Sequence, residues 1–190
     1  MEYATIREVP GRFDWGDYVA LSYTWGDPKE TREIVVNGKS VQVTVNLEAA
    51  LRALRDKAPV KAGLKLWIDA LCINQDDNDE KGVQVKRMAD IYRQAFDVVV
   101  WLGPEADESW KALKLIEILS DSWEKDQGKW LREYLDSDEN SLFKLRPPNE
   151  PSLIGCWHAL RNLMFRPYWK RVWIIQELVV SRNSSPVLCG

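Results

Sequence analysis

The 190-residue chain has very little histidine and cysteine: one of the first, His158, and three of the second, Cys72, Cys156 and Cys189. A single imidazole leaves a zinc site or a histidine-dependent triad short of ligands and bases, so no metal is expected. Three widely spaced cysteines do not make a disulfide framework and fit reduced, buried thiols, hence a cytoplasmic setting. No apolar run is long enough to span a bilayer, and Met1–Arg7 lacks the pattern of a signal peptide. Positive charge is not in excess either. The net charge is -3, and no long basic run is present to hold a nucleic-acid backbone.

Tryptophan, by contrast, is abundant, with ten residues. Its large apolar rings suit cores, assembly surfaces and stacking sites for flat ligands, and the first two uses take most of them.

The chain reads as alternating strands and helices. Tyr18–Tyr23 is a strand ending in a turn at Gly26–Pro28. Glu33–Val36 and Ser40–Val45, joined by Asn37-Gly38, form a hairpin with a type I′ turn. Asn46 is placed to cap a helix whose apolar face is Leu47, Ala50, Leu51 and Leu54. Leu64–Asp69 is a second, buried strand ending in an acid. Asp77 and Glu80 have capping-box spacing before a helix marked by Val85, Met88, Tyr92 and Ala95. Asp97–Leu102 is almost wholly apolar, as in a parallel strand covered on both faces. Helices follow with stripes at Trp110, Leu113, Ile116 and Trp123, and at Leu153, Trp157, Leu160 and Met164. They are separated by an acidic, proline-containing excursion at about 124–151. Pro186–Gly190 reads as the start of a further strand, as in a piece of a longer multidomain protein. The pattern predicts an α/β domain with a mainly parallel sheet flanked by helices, carrying an added hairpin and a helical or loop insertion.

Ligands of such sheets bind beyond the carboxyl ends of the strands. There the sequence places Ser22, Tyr23, Thr24 and Trp25, which either hydrogen-bond a ribose or phosphate and stack a ring, or form a tight turn folded onto the core. Asp69, at the next strand end, either caps the following turn or touches a ligand. The acidic run at 76–80 lacks the spacing of a calcium loop. Glu177 is the most unusual residue. It sits in Tyr168–Val180, a helix-like segment of tryptophans and branched aliphatics, where an acid needs a partner or a task. Trp173, four residues earlier, shares its expected face, with Trp169 one turn before. Arg171 falls on another side, which leaves Arg166 or an arginine elsewhere as a structural partner for Glu177.

Four blocks together, Tyr18–Asp27, Trp67–Asp76, Gln84–Gly103 and Trp169–Leu178, resemble the HET domain of fungal heterokaryon-incompatibility proteins, over roughly residues 18–180. HET domains are themselves more distantly similar to TIR domains. There a strand ends in a serine–aromatic pair, as at Ser22-Tyr23, and a second strand ends in an acid, as at Asp69. A tryptophan then precedes a Glu-Leu pair, as at Trp173 and Glu177-Leu178. The resemblance implies one TIR-like, flavodoxin-like domain over residues 1–190. It makes Glu177 the candidate catalytic residue for NAD+ cleavage, with Ser22, Tyr23, Trp25, Asp69 and Trp173 around the substrate. It also implies NAD+ as substrate rather than cofactor, self-association, and fusion to sensor or oligomerising domains of the same or a partner protein. Two alternatives stand beside hydrolysis: a non-catalytic assembly domain that triggers cell death, and base exchange or cyclisation at the same site.

Overall fold

The computed structural model describes residues 18–126, 129, 155–181 and 185–190. Most of the acidic excursion, and Leu153, lie outside these residues. The described residues pack as two compact units. One comprises the chain up to Pro104 together with Lys170–Gly190, and the other runs from Glu105 to Trp169.

The first unit is built on a parallel four-stranded sheet. Strands β1 (Tyr18–Tyr23), β4 (Lys65–Trp67), β5 (Asp97–Trp101) and β6 (Val187–Leu188) lie in the order β4-β1-β5-β6. β1 is internal and buried along nearly all its length, which explains its run of apolar and small residues. Its pleat sends alternate residues to opposite faces. Leu21 and Tyr23 pack with Leu47, Ala50 and Leu54 of helix α1 (Val45–Arg55). Ala20 packs on the other face, with Met88, Tyr92 and Ala95 from helix α4 (Asn78–Gln94) and its end, and with Leu178 of helix α7 (Trp173–Val179). The helices therefore cover both faces of the sheet, as an α/β plan requires. Asp97-Val-Val-Val-Trp101 makes β5, as its continuous apolar run predicts.

Strands β2 (Thr31–Val36) and β3 (Lys39–Thr44) form a separate antiparallel hairpin. Asn37 and Gly38 both have positive φ, 51° and 78°, which is the type I′ geometry that Asn-Gly favours.

Several expectations need correcting. The strand predicted over Leu64–Asp69 is shorter and lies at the sheet edge, so its side chains are half-buried or exposed. Asp69 is already in a short helix, α3 (Asp69–Cys72). A further short helix, α2 (Ala58–Lys61), carries Pro59 near its start, where proline's fixed φ is tolerated. Thr44, not Asn46, caps α1: its Oγ1 accepts from the Leu47 amide at 3.4 Å. Asp77 does cap α4, accepting from the amides of Asp79 and Glu80 at 2.9 and 3.0 Å. Glu80 does not close the box, since its carboxylate accepts from the Asn74 amide instead.

In the second unit, helix α5 (Ser109–Asp126) packs on helix α6 (Cys156–Met164). The buried face is one position out of phase with the stripe expected from the tryptophans. Ala112, Leu115, Cys156, Ala159 and Leu163 are buried, while Trp110, Ile116, Trp123 and Met164 are exposed. Small residues at the contact let helix backbones approach closely, and the bulky side chains take the rim. A 3-10 turn (Pro167–Lys170) follows α6. Trp169 belongs to this turn rather than to the Glu177 helix: its Nε1 donates to Leu163 O at 3.0 Å.

Candidate functional site

The sheet delivers its groups at the carboxyl ends of β1 and β4. On β1, Ser22 alternates with Leu21 and Tyr23 and so faces the side covered by α4 and α7. There its Oγ donates to Oε2 of Glu177. Both groups are sealed from solvent, Ser22 at 0% and Glu177 at 1% exposure. The carboxylate is also gripped by Arg171, whose Nη2 donates to Oε1 at 2.9 Å and whose Nη1 donates to Oε2 at 3.3 Å. Burial of the carboxylate is thus compensated by a two-pronged ion pair and a serine hydroxyl.

Arg171 replaces the partner expected from spacing. The reason is geometric: α7 begins only at Trp173, so Arg171 lies before the helix and helical periodicity does not govern where its side chain goes. Arg166, the alternative, is in the second unit, where its Nη2 donates to Ala106 O at 3.1 Å.

Tyr23 ends β1. It is 2% exposed, and its hydroxyl makes no hydrogen bond of acceptable geometry with any described residue. Burial first, and the nearby Asp69 carboxylate second, push the phenol far above its ordinary value of 10.0. Tyr23 is therefore a neutral O–H donor beside the carboxylates. The hydroxyl of Thr24, the next residue, is likewise buried without a partner among the described residues. Buried polar groups are rarely left this way, and exceptions gather where a ligand or water completes the site.

Trp25 and Asp69 form the lip. Trp25 Nε1 donates to Asp69 Oδ2 at 2.8 Å, leaving the indole 39% exposed. Asp69 Oδ1 accepts from the Ala70 amide at 2.7 Å, so the acid, rather than capping α3, braces its first turn and anchors the tryptophan. The Asp69 backbone carbonyl takes a bond from Gln75 Nε2 at 3.0 Å. Gly26, at φ 83°, turns the chain just after Trp25. Asn46 ties the ends of two strands together. Its Nδ2 donates to Thr24 O at 2.5 Å and its Oδ1 accepts from Trp101 Nε1 at 3.1 Å. Nothing in its spacing signalled this bridging role, because the residue reads equally well as a helix cap. Of the cysteines expected to be buried, Cys156 is, but Cys72, after Asp69, is exposed because it ends the short helix α3 at the surface, although partial desolvation holds its thiol above the usual pKa.

The structure thus joins Ser22, Arg171 and Glu177 directly, with Tyr23 on the other face at the end of the same strand, within reach of their charge and of Asp69, and with Trp25 bonded to Asp69. Trp173 differs from expectation. It is 47% exposed and lines a shallow apolar surface with Val172, Ile175, Gln176, Val179 and Val180. As the first residue of α7 it leans off the helix end, because Cα–Cβ bonds tilt toward the N-terminus. Glu177, one turn later, is covered.

The fold and site define an α/β domain with a buried, partnered carboxylate behind the carboxyl ends of its parallel strands. The chain belongs to the family described as Heterokaryon incompatibility protein (HET), whose family model matches residues 18–177, from the first residue of β1 to the buried glutamate. It is 35% identical to Heterokaryon incompatibility protein 6, OR allele, of Neurospora crassa, in an alignment taking in 88% of this chain. The chain spans 28% of that relative's length. No solved structure matches the chain. Among the described residues, no helix is long and apolar enough to cross a membrane.

Proposed function

We propose that this is a TIR-like effector domain of heterokaryon incompatibility, acting in the cytoplasm, that hydrolyses NAD+ to nicotinamide and ADP-ribose when self-associated. One observation carries the reading: Glu177 is a sealed carboxylate held by the serine of the central strand, and the Tyr23 and Thr24 hydroxyls that follow this serine in the chain are buried with no well-formed hydrogen bond among the described residues. Such a cluster suits the hydroxyls of a ribose.

In this reaction the C1′–N bond breaks and its electron pair passes to the ring nitrogen, which neutralises the pyridinium. Water oxygen then bonds to C1′ and releases a proton to solvent. The transition state is oxocarbenium-like, as in glycoside hydrolysis. Glu177 stabilises the developing positive charge, and the low-dielectric surroundings strengthen that interaction. The Tyr23 and Thr24 hydroxyls and Ser22 orient the sugar. Trp25, anchored by Asp69, offers its free face to a flat ring.

The test is nicotinamide release from NAD+ by the concentrated or artificially clustered domain. Glu177→Gln should lower it on the order of 100-fold or more. No release from clustered wild type, or equal release from Glu177→Gln, ends the enzymatic reading. One observation favours the alternative, a non-catalytic assembly domain: Val172, just before α7, and Ile175 and Val179 within it face solvent at 79%, 66% and 76% exposure, an apolar surface suited to a protein partner. Under that reading Glu177→Gln leaves cell death intact, while Ile175→Asp abolishes it.

A further inference from the structure

Arg171 and Glu177 are unequal partners. The carboxylate side chain is 1% exposed, but the arginine side chain keeps 20% of its surface open. Of the pair, only the Arg171 side chain has surface that a ligand arriving from solvent can touch. The guanidinium also covers both carboxylate oxygens, and on Oε2 it shares the acceptor with Ser22. A carboxylate has roughly four acceptor positions, so a sugar hydroxyl has little of Glu177 left to approach while Arg171 stays in place.

Arg171 lies between the 3-10 turn and α7, outside regular hydrogen-bonded helix, so a change of its side-chain rotamer does not require α7 to unwind. Its planar fork fits phosphate as well as carboxylate, with two parallel N–H···O bonds in either case. Asp69 and Tyr23 lie close enough for charge to couple them, and Arg171 influences Tyr23 as well. The guanidinium is thus the cationic group among the two acids and the neutral phenol at the end of β1.

Resting on the hydrolase reading of this site, we infer that Arg171 is a hand-off residue. In the free domain it holds Glu177. When a dinucleotide enters, its phosphates draw the guanidinium away and the carboxylate is released to the ribose. Phosphate-bearing nucleotides therefore open the site and phosphate-free nucleosides do not.

Binding tests this without turnover. In the domain labelled with 15N-arginine, the Arg171 Nε–H resonance is followed while ADP-ribose, inorganic pyrophosphate or nicotinamide riboside is added. ADP-ribose and pyrophosphate should shift it, and the riboside should not. Arg171→Gln should weaken ADP-ribose binding at least about tenfold, with Arg171→Lys, which keeps the charge but loses the fork, in between. An unmoved resonance at high ADP-ribose, equal affinity in wild type and Arg171→Gln, or no binding of ADP-ribose overturns the hand-off. If Arg171→Gln does not fold, the wild-type resonance decides alone. Absent nicotinamide release with an intact resonance shift removes the hydrolase reading and leaves the hand-off standing. Release from NAD+ with an unmoved resonance does the reverse.

Discussion

The Ser22 hydroxyl donates to Oε2 of Glu177, a residue 155 positions further along the chain. The contact joins the central strand to α7 and fixes the carboxylate in place. A hydrogen bond to a charged acceptor is worth roughly 1.5–3 kcal/mol. Ser22→Ala should therefore lower unfolding free energy by about 2 kcal/mol, read from the urea midpoint at unchanged slope. A loss below about 0.5 kcal/mol would mean that Arg171 holds the glutamate unaided.

Removing one member of the ion pair strands the other. Glu177→Leu should cost about 3 kcal/mol, the lower end for a buried pair, because Arg171 keeps partial access to water. Pairing Arg171→Met with Glu177→Leu should recover most of that loss. A double-mutant cycle in urea measures the coupling, and strict additivity would refute it.

Tyr23 gives a pH signature. Its folded pKa is raised, so the native state keeps the proton after the unfolded chain has begun to lose it. The associated stability is complete below the ordinary value of 10.0 and falls as pH rises beyond it. Tyr23→Phe should flatten this fall above pH 10. At neutral pH it should change stability by less than about 1 kcal/mol, since the hydroxyl makes no well-formed hydrogen bond with a described residue. Urea midpoints of both proteins between neutral and alkaline pH check the difference in slope.

Asn46 and Thr44 separate bridge from cap. Asn46→Ala deprives the buried Trp101 indole of its acceptor and should cost about 2 kcal/mol. Thr44→Ala loses only a long cap bond and should cost about 0.5 kcal/mol. The reverse order in thermal melts would restore Asn46 as the cap.

The sequence carried the parallel sheet, because continuous apolar runs such as Asp97–Leu102 have few other uses. Asn37-Gly38 and Asp77 were equally readable, since each solves a local backbone problem with its own side chain. The helix faces were not. Following the largest residues led from Trp110 to Trp123, whereas α5 packs through Ala112 and Leu115. Bulk marks apolar surface without saying which side is covered. Arg171 is illegible for a related reason: helical spacing has no meaning in the chain that precedes the start of α7. Glu177 stood out because an acid among aliphatics is anomalous wherever it lies. Its sealed position and paired state needed the tertiary fold.

The placement of β1 bears on the order of synthesis. The strand that supplies Ser22 and Tyr23 is made early, yet its neighbours β4 and β5 come from residues 65–67 and 97–101, and its glutamate from α7. A nascent chain or proteolytic fragment ending before Arg171 carries the serine, the tyrosine, Trp25 and Asp69 without the carboxylate. Long-range parallel pairing of this kind also forms slowly. The Ser22–Glu177–Arg171 cluster is therefore completed only once α7 has been made, and under the hydrolase reading a fragment lacking α7 is inactive.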